Sequence, residues 1–424
     1  MTTPRQSAAD QRVVTVLDGM RLLPGPPAQF AISGLLGTHV LFLGGIGTGK
    51  TNGMKQIVRQ LRANSQADDV FIFFDTKGDF LRNFRRPGDA VISNDPDADP
   101  DGVRWNLFRD LPRDPRHREE EIYEIATAIF SDELYGAGQN MFFAAAARDI
   151  FAGVVTAMAD QPNSNDELRT ELEAPAARLY ELLDKPGMSG TARYLEGNEN
   201  TANSILAFLQ LTLRKSFSGA FRERGDFSVR DFVRNRGGRA LFIEYDIAVG
   251  NSLLPIYRVL IDTAIKEALG FGRSRLRDHA RVPDNFYFIL DEFALLPRLS
   301  HISDGVNFGR ELGLKFLVAT QNVNQVLGGY SGELGQSILS GFGTIFAFRL
   351  PDEASRTLLR QRYGRNRKKV ATTASVRHEG VQEIVVEGNV IEDWDMSGLE
   401  KGHCIAALPH GAPFLLQFAE FKGA

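Results

Sequence analysis

Runs of consecutive apolar residues alternate along this chain with segments in which apolar residues recur every three or four positions. The runs predict buried strands at Val40–Leu43 and at 70–74, 240–245, 286–290, 314–319, 344–348, 404–408 and 414–418. The periodic segments predict helices at 52–62, 253–269, 304–312 and 353–363. Strands that alternate with helices predict an α/β protein with a mainly parallel sheet.

The middle of the chain has a different pattern. Helical periodicity appears there at 119–130, 141–159, 166–183 and 201–217, with no strand-like run between these segments. We therefore predict an all-α domain at 117–236, inserted between two halves of an α/β domain at 1–116 and 237–424. A short hairpin of 13–17 with 21–23 is expected ahead of the first buried strand.

A glycine-rich loop joins the first buried strand to the first helix. Its residues fill every position of the P-loop pattern G-x-x-x-x-G-K-[ST]: Gly44, Gly45, Ile46, Gly47, Thr48, Gly49, Lys50 and Thr51. The glycines allow backbone N–H groups to surround a phosphate, and the helix N-terminus adds positive potential. We expect Lys50 to reach the β- and γ-phosphates of ATP and Thr51 to ligate Mg²⁺. The alternative is a glycine-rich turn without a ligand.

Acidic residues follow a later apolar run, in the pattern of a Walker B strand. Asp291 and Glu292 come directly after 286–290. We expect Asp291 to hold the Mg²⁺ shell and Glu292 to take a proton from the attacking water, which is the usual task of a general base.

Polar residues also end two other predicted strands. Gln321 follows 314–319 by two positions and could orient the attacking water, as glutamines do in other phosphoryl-transfer enzymes, or cap the next turn. Asp75 and Lys77 follow 70–74, where a ligand site and an ordinary Asp-rich turn are the two alternatives.

The overall composition does not indicate a DNA-binding protein, so any DNA-binding surface must be a local feature of the sequence. The net charge is −4, the hydrophobic content is 43%, and Cys404 is the single cysteine, so an intrachain disulfide is excluded. No run of about 18 apolar residues occurs, so no membrane span is predicted. The segment 356–369 has basic residues and no acidic ones, and it could bind DNA phosphates or form a solvated face: Arg356, Arg360, Arg362, Arg365, Arg367, Lys368 and Lys369.

Several of these features occur together in one known family. They are the P-loop, the turn 75–79, Trp105-Asn106, the all-α insert, Leu290-Asp291-Glu292-Phe293, Ala319-Thr320-Gln321 and the closing segment 391–413. With these residues in register, the chain resembles the type IV coupling proteins of conjugation, the TraD/TrwB type, within the FtsK/HerA-like motor ATPases.

This resemblance implies a RecA-like nucleotide-binding domain with a small all-α domain. It also implies a ring of six copies that handles DNA and connects a relaxase complex to a type IV secretion channel. An arginine of the family acts on the ATP of the neighbouring subunit; Arg310 stands at the matching place, and Arg349 is the second choice. The alternative for Arg310 is a surface helix residue that pairs with a carboxylate. Family members usually begin with transmembrane helices. Since no span is predicted here, we expect a cytoplasmic protein. Three alternatives remain open: the anchor is a separate protein that associates this chain with the membrane, the chain is truncated, or it is a soluble relative of the family.

Two other functions remain open from the sequence. The first is an adaptor ring that uses ATP for assembly and presents the all-α insert to a relaxase or an effector protein. The second is a HerA/FtsK-like DNA translocase outside conjugation. DNA-stimulated turnover separates a motor from an adaptor.

Overall fold

The computed structural model describes residues 14–20, 28–95, 102–136, 138–196, 198–246, 248–277, 285–373 and 381–423. The strands are β1 Val14–Met20, β2 Ala28–Ser33, β3 Val40–Leu43, β4 Asp69–Asp75, β5 Ala90–Ile92, β6 Arg239–Glu244, β7 Asn285–Leu290, β8 Leu314–Thr320, β9 Thr344–Ala347, β10 Arg365–Thr373, β11 Val381–Asn389, β12 His403–Ala407 and β13 Phe414–Gln417.

The helices are α1 Lys50–Ala63, α2 Asp79–Phe84, α3 Leu107–Asp110, α4 Pro115–Ile129, α5 Ser131–Gly136, α6 Met141–Met158, α7 Asn165–Leu172, α8 Ala176–Leu183, α9 Ser189–Ala192, α10 Glu199–Ser216, α11 Val229–Asn235, α12 Gly250–Arg277, α13 Ile302–Phe308, α14 Val323–Gly329, α15 Gly332–Ser340, α16 Glu353–Tyr363 and α17 Asp393–Ser397. Short 3-10 turns connect some of these elements. The chain divides into two compact units. We call the described residues up to Asn64 and from Phe316 onward the terminal unit, and Ser65–Lys315 the central unit.

The terminal unit carries the first buried strand and the P-loop. Its strands lie in the order β13-β12-β9-β3-β8, with β3 parallel to β8 and β9 and with β12 antiparallel to β9 and β13. Every residue of β3 is buried, which explains its uninterrupted apolar sequence. Two separate antiparallel hairpins, β1–β2 and β10–β11, complete the strands of this unit.

The central unit has four parallel strands in the order β7-β4-β6-β5. Aromatic rings stack between neighbouring strands, with ring centroids 4.8 Å apart for Phe71 and Tyr287 and 4.6 Å apart for Phe73 and Phe242. Burial on both faces therefore accounts for the apolar runs at 70–74 and 286–290. The predicted α/β class with a mainly parallel sheet is confirmed.

Between β5 and β6 the described residues form helices α3 to α11 and no regular strand. Their core includes α6, which packs against α4 and α10. This helix is the one described helix with the length and hydropathy of a membrane span, with a mean hydropathy of 1.5 and 44% of its residues buried. Because it contains Arg148 and Asp149 and buries one face in the protein, it has the character of a core helix.

Some predicted elements differ from the structure. The first hairpin pairs Val14–Met20 with Ala28–Ser33, whereas the expected second strand at 21–23 lies outside the described residues. The helix predicted at 166–183 is two helices, because Pro175 precedes α8 and cannot continue α7.

The helix predicted at 304–312 ends at Phe308, so Arg310 lies in a turn instead of in the helix. Gly309 and Gly313 explain this early end, since Gly313 adopts a φ of 93° and Gly309 accepts N–H groups from Leu312 and Leu314 through its carbonyl oxygen. Neither β5 nor the β10–β11 hairpin is predicted by the sequence patterns.

Candidate nucleotide site

The P-loop lies between β3 and α1, in the order that the motif requires. Gly47 and Gly49 have φ values of 71° and 111°, in the left-handed region that favours glycine. A Cβ atom on Gly49 would lie 3.2 Å from the backbone of Gly402, so this position also needs the missing side chain. The loop therefore has the backbone conformation of a phosphate cradle.

Side chains of the motif hold the loop from within. The Lys50 ammonium donates hydrogen bonds to the carbonyl oxygens of Gly44 at 2.6 Å and Gly45 at 3.0 Å. The buried Thr48 hydroxyl donates to the same Gly45 oxygen at 2.8 Å. Ile46 is 78% exposed, which leaves the outer face of the loop open. The cation thus lies at the loop, within reach of a phosphate bound there.

The two strands that flank β3 bring other predicted residues to the loop. The Gly44 N–H donates to the Thr320 carbonyl oxygen at 3.3 Å, so Gln321 directly follows a residue bonded to the P-loop. The Gly45 N–H donates to the Arg349 carbonyl oxygen at 3.0 Å. Asn322, and not Gln321, caps the next helix, because its side chain accepts the Gln325 N–H. The N-cap position of α14 therefore belongs to Asn322.

The Walker B carboxylates lie in the central unit, at the end of β7. Asp291 is buried, and its Oδ2 accepts a hydrogen bond from the Thr76 hydroxyl at 3.2 Å. Glu292 follows it and precedes a 3-10 turn at Phe293–Leu295. A buried carboxylate oriented by a hydroxyl is a hard oxygen ligand of the kind that Mg²⁺ prefers. Thr76 was not among the residues predicted from the sequence.

Asp75 has a structural task. Its two carboxylate oxygens accept backbone N–H groups of the α2 N-terminus, at 3.1 Å from Asp79 and 2.8 Å from Phe80 and Leu81. Burial raises the pKa of Asp75, the N–H groups of Leu81, Lys77 and Phe80 lower it, and the nearby Asp291 charge raises it further. The Lys77 side chain is exposed. The turn 75–79 therefore positions α2 and Thr76.

A fourth acidic residue, Glu244, ends the neighbouring strand β6. Burial raises the pKa of Glu244, a hydrogen bond from Ser93 lowers it, and the Asp75 charge raises it. The carboxyl ends of β4, β6 and β7 thus all carry carboxylates. The apolar run at 240–245 could have indicated Glu244, because the ends of parallel strands meet at one sheet edge.

Trp105 and Asn106 anchor the start of the helical part. The buried Asp110 accepts hydrogen bonds from Trp105 Nε1 at 2.6 Å and the Ser228 hydroxyl at 2.7 Å. The Asn106 amide donates to the carbonyl oxygens of Asn163 and Gly225. Burial raises the pKa of Asp110 to about 6, against the lowering effect of its hydrogen bonds and of Arg230. Through these hydrogen bonds, Trp105 and Asn106 connect the start of the helical part to residues near its end.

Arg310 lies on the exposed turn between α13 and β8. Within the described part of the chain its guanidinium makes no hydrogen bond or ion pair. An exposed arginine without an intrachain partner is available to another molecule, as an arginine that acts on a neighbouring subunit must be. Arg349 is also exposed, but its backbone contacts the P-loop of its own chain.

Helix α13, which leads to the Arg310 turn, is anchored at its start by His301. One carboxylate oxygen of Asp262 accepts a hydrogen bond from the His301 backbone N–H, and the other is hydrogen-bonded to His301 Nδ1, each at 2.8 Å. Burial lowers the pKa of His301, but the hydrogen bond and charge of Asp262 outweigh this effect and raise it above its ordinary value of 6.5. A raised pKa means that the protonated pair stabilises the folded state.

We expect Asp262→Asn to lower the free energy of unfolding most at about pH 6 and least at about pH 9. The contribution of the pair is fully present below the unfolded-state pKa and is lost as the pH rises through the higher folded-state pKa. Urea denaturation of both proteins across this range measures the difference. Asp304→Asn, on the exposed side of α13, is the matched control. A difference that stays constant with pH contradicts the titration of His301.

The structure divides the basic segment 356–369 into paired and exposed residues. Arg356 and Arg360 form ion pairs with Glu353 and Asp393. Arg362 donates to the carbonyl oxygens of Phe342 and Gly343. The side chains of Lys368 and Lys369 lie outside the described part of the chain.

Arg365 and Arg367 are exposed on β10. Arg365 is 3.8 Å from Glu387, and both side chains are more than half exposed, so this ion pair is weak. Among the described side chains of the segment, these two are the ones that a DNA backbone could contact.

A cavity of about 420 Å³ lies elsewhere in the terminal unit. It is lined mainly by apolar side chains around α17 and β13, and Trp394 stands at its edge. No P-loop residue lines it. Because a triphosphate needs N–H donors and cations, this cavity has the wrong chemistry for the nucleotide site.

Most of the chain matches one known protein family. The family model described as type IV secretion-system coupling protein DNA-binding domain matches residues 32–413. None of the curated proteins is similar enough in sequence to count as a match.

Solved structures share the fold. The bacterial conjugative coupling protein TrwBdeltaN70 is 18% identical, with a TM-score of 0.75 over 99% of this chain and 90% of that chain. The plasmid coupling protein TrwB in complex with ADP and Mg²⁺ is 18% identical, with a TM-score of 0.72 over 92% and 87%. VirB4 of Thermoanaerobacter pseudethanolicus is 12% identical, with a TM-score of 0.55 over 96% and 97%. The predicted RecA-like fold with an inserted all-α domain is confirmed by the likeness to TrwB.

Proposed function

The chain belongs to the family of type IV secretion-system coupling proteins, and on this premise we propose that it is an ATP-hydrolysing motor that acts on DNA during conjugative transfer. The observation that carries this proposal is the complete P-loop, with glycines in the left-handed conformation and Lys50 at the loop. TrwB has been solved with an ATP analogue and with ADP and Mg²⁺, which supports the same ligands here.

The P-loop would bind the phosphates of ATP. Backbone N–H groups of 45–51 would bind the phosphates, and Lys50, which donates to the carbonyl oxygens of Gly44 and Gly45 here, would exchange these bonds for the β- and γ-phosphates. Thr51 of the terminal unit is the proposed hydroxyl ligand of Mg²⁺. When bound, Mg²⁺ would neutralise part of the negative charge that develops on the phosphates.

Residues that follow β7 and β8 would perform the proton transfer and the orientation of water. Asp291, held by Thr76, is the proposed carboxylate of the Mg²⁺ shell. Glu292 takes the proton of the attacking water as general base. Gln321 orients that water, and its position after Thr320 supports this role because the Thr320 carbonyl oxygen binds the P-loop backbone.

We further propose a cytoplasmic ring of six copies in which Arg310 acts on the ATP of a neighbour. The exposure of Arg310, with no intrachain partner among the described residues, supports this role. A relaxase and components of the secretion channel are the proposed partners of the ring. Turnover that increases on addition of DNA supports a motor, whereas ATP-dependent assembly without such an increase would favour an adaptor ring.

DNA would bind through its backbone at Arg365 and Arg367. We expect the double variant Arg365→Ala/Arg367→Ala to reduce the slope of log K against log salt by roughly 0.7 per lost contact for single strands and 0.9 for duplex. A titration of DNA binding at several salt concentrations measures this slope. The matched control is Arg356→Ala/Arg360→Ala, because those arginines are ion-paired within the chain. Equal slopes for both variants and the wild type would indicate that this segment is a solvated face and does not bind DNA.

A further inference from the structure

The P-loop is held from outside by a segment that is distant in sequence. The Gly402 N–H donates a hydrogen bond to the Thr48 carbonyl oxygen at 2.9 Å. In turn the Gly402 carbonyl oxygen accepts the Phe418 N–H at 2.9 Å. Gly402 therefore connects the loop to the residues that follow β13.

This bond fixes the direction of a neighbouring N–H group. The Thr48 carbonyl and the Gly49 N–H belong to one planar peptide unit, and in a trans peptide they point in opposite directions. No cis peptide bond occurs among the described residues. Because the Thr48 carbonyl points at Gly402, the Gly49 N–H points away from it. A P-loop works by directing such N–H groups at a phosphate.

Only glycine fits at position 402. Its φ is 84°, in the left-handed region, and a Cβ atom there would lie 3.3 Å from the Phe418 carbonyl oxygen. The P-loop also lies close to Gly402, because a Cβ atom on Gly49 would lie 3.2 Å from the Gly402 backbone. A side chain at position 402 would therefore press on the Phe418 backbone, and one at position 49 would press on Gly402.

Asn52 fastens the same segment to the P-loop helix. Its Nδ2 donates to the Ala419 carbonyl oxygen at 2.7 Å, and its Oδ1 accepts the Phe421 N–H at 2.7 Å. Gln56, one turn later, also donates to Ala419 at 3.2 Å. The contacts form a closed circuit from α1 through Ala419, Phe418 and Gly402 back to the loop.

We propose that Gly402 and Asn52 are positioning residues of the phosphate site, which set the direction of the Gly49 N–H through this circuit. The inference rests on the proposed function, since it assumes that the loop binds a nucleotide. Neither residue would contact the reacting atoms. Their effect is on how tightly the phosphates are bound.

The test compares two glycines with the same backbone conformation. Gly411 has a φ of 94°, and among the described residues no atom lies within 4 Å of the place that its Cβ would take. Both Gly402→Ala and Gly411→Ala therefore impose backbone strain, but only Gly402 is hydrogen-bonded to the P-loop through its backbone. We expect Gly402→Ala to weaken MgADP binding about ten-fold or more, as the loss of one charge-assisted hydrogen bond does, and Gly411→Ala to leave it unchanged.

Asn52→Ala tests the circuit without strain, with Asn64→Ala at the exposed end of the same helix as its control. We expect Asn52→Ala to raise the Kd for MgADP and the KM for ATP more than it lowers kcat. Equal affinities in each variant and its control would overturn the inference while the proposed function stands. If Gly402→Ala does not fold, the comparison of Asn52→Ala with Asn64→Ala decides whether the inference holds. Wild-type protein that binds no MgADP overturns the proposed function itself, and the inference with it.

Discussion

Lys50→Ala is expected to abolish ATP hydrolysis, with a loss of on the order of 10³-fold in turnover, because a preorganised cation at the developing phosphate charge is removed. Nucleotide affinity should fall as well, since Lys50 meets the phosphates in the ground state. Steady-state phosphate release measures turnover, and titration with MgADP measures affinity. Lys55→Ala, one turn further along α1 and outside the motif, is the matched control and should hydrolyse ATP normally.

Glu292→Gln gives the contrasting result within the same experiment. The amide keeps the shape of the side chain but cannot take the proton of the attacking water. We therefore expect this variant to bind ATP and to retain it unhydrolysed. Normal hydrolysis by purified Lys50→Ala contradicts the assignment of the P-loop, and failure of Glu292→Gln to bind ATP contradicts the assignment of the base.

Arg310→Ala is expected to bind ATP and to hydrolyse it about 10³-fold more slowly, because arginines supplied to P-loop enzymes stabilise the transition-state charge by this order. Arg310→Lys should recover little activity, since an ammonium lacks the planar guanidinium geometry. Glu311→Ala, the exposed neighbour on the same turn, is the control for folding and should be active. Phosphate release at saturating ATP measures all three.

Mixing two inactive variants tests whether Arg310 acts on a neighbour. In a mixture of Arg310→Ala with Lys50→Ala, an intact P-loop can meet an intact Arg310 on the adjacent subunit, so partial activity should return. If mixed rings form and no activity returns, Arg310 does not act between subunits. Arg349 is then the next candidate for the arginine that acts on a neighbour.

The parts of the fold that could be predicted are those fixed by local pattern. Strands buried on both faces appear as continuous apolar runs, as at 70–74 and 286–290, and the P-loop is a contiguous motif. The β10–β11 hairpin has no such signal. Its neighbouring residues Val385 and Val386 point to opposite faces and are 58% and 40% exposed, so no alternation of apolar and polar residues marks the strand.

The parts of the site that escaped prediction depend on contacts between distant residues. The Gly402 bond to Thr48 is made by backbone atoms, and backbone contacts leave little trace in residue type. Asp75 had the appearance of a site residue, yet its oxygens are occupied by the α2 N-terminus. Carboxylates that cap a helix and carboxylates that bind a metal have the same sequence signature, so tertiary structure is needed to separate them.

The measurement that tests the account most directly is the ATPase rate of the wild-type protein against protein concentration, without DNA and with single-stranded or double-stranded DNA. A ring whose subunits complete each other's sites should show specific activity that rises with protein concentration and rises further with DNA, while Lys50→Ala stays inactive under every condition. Specific activity that is the same at all concentrations and is unaffected by both forms of DNA would contradict a DNA-driven ring motor.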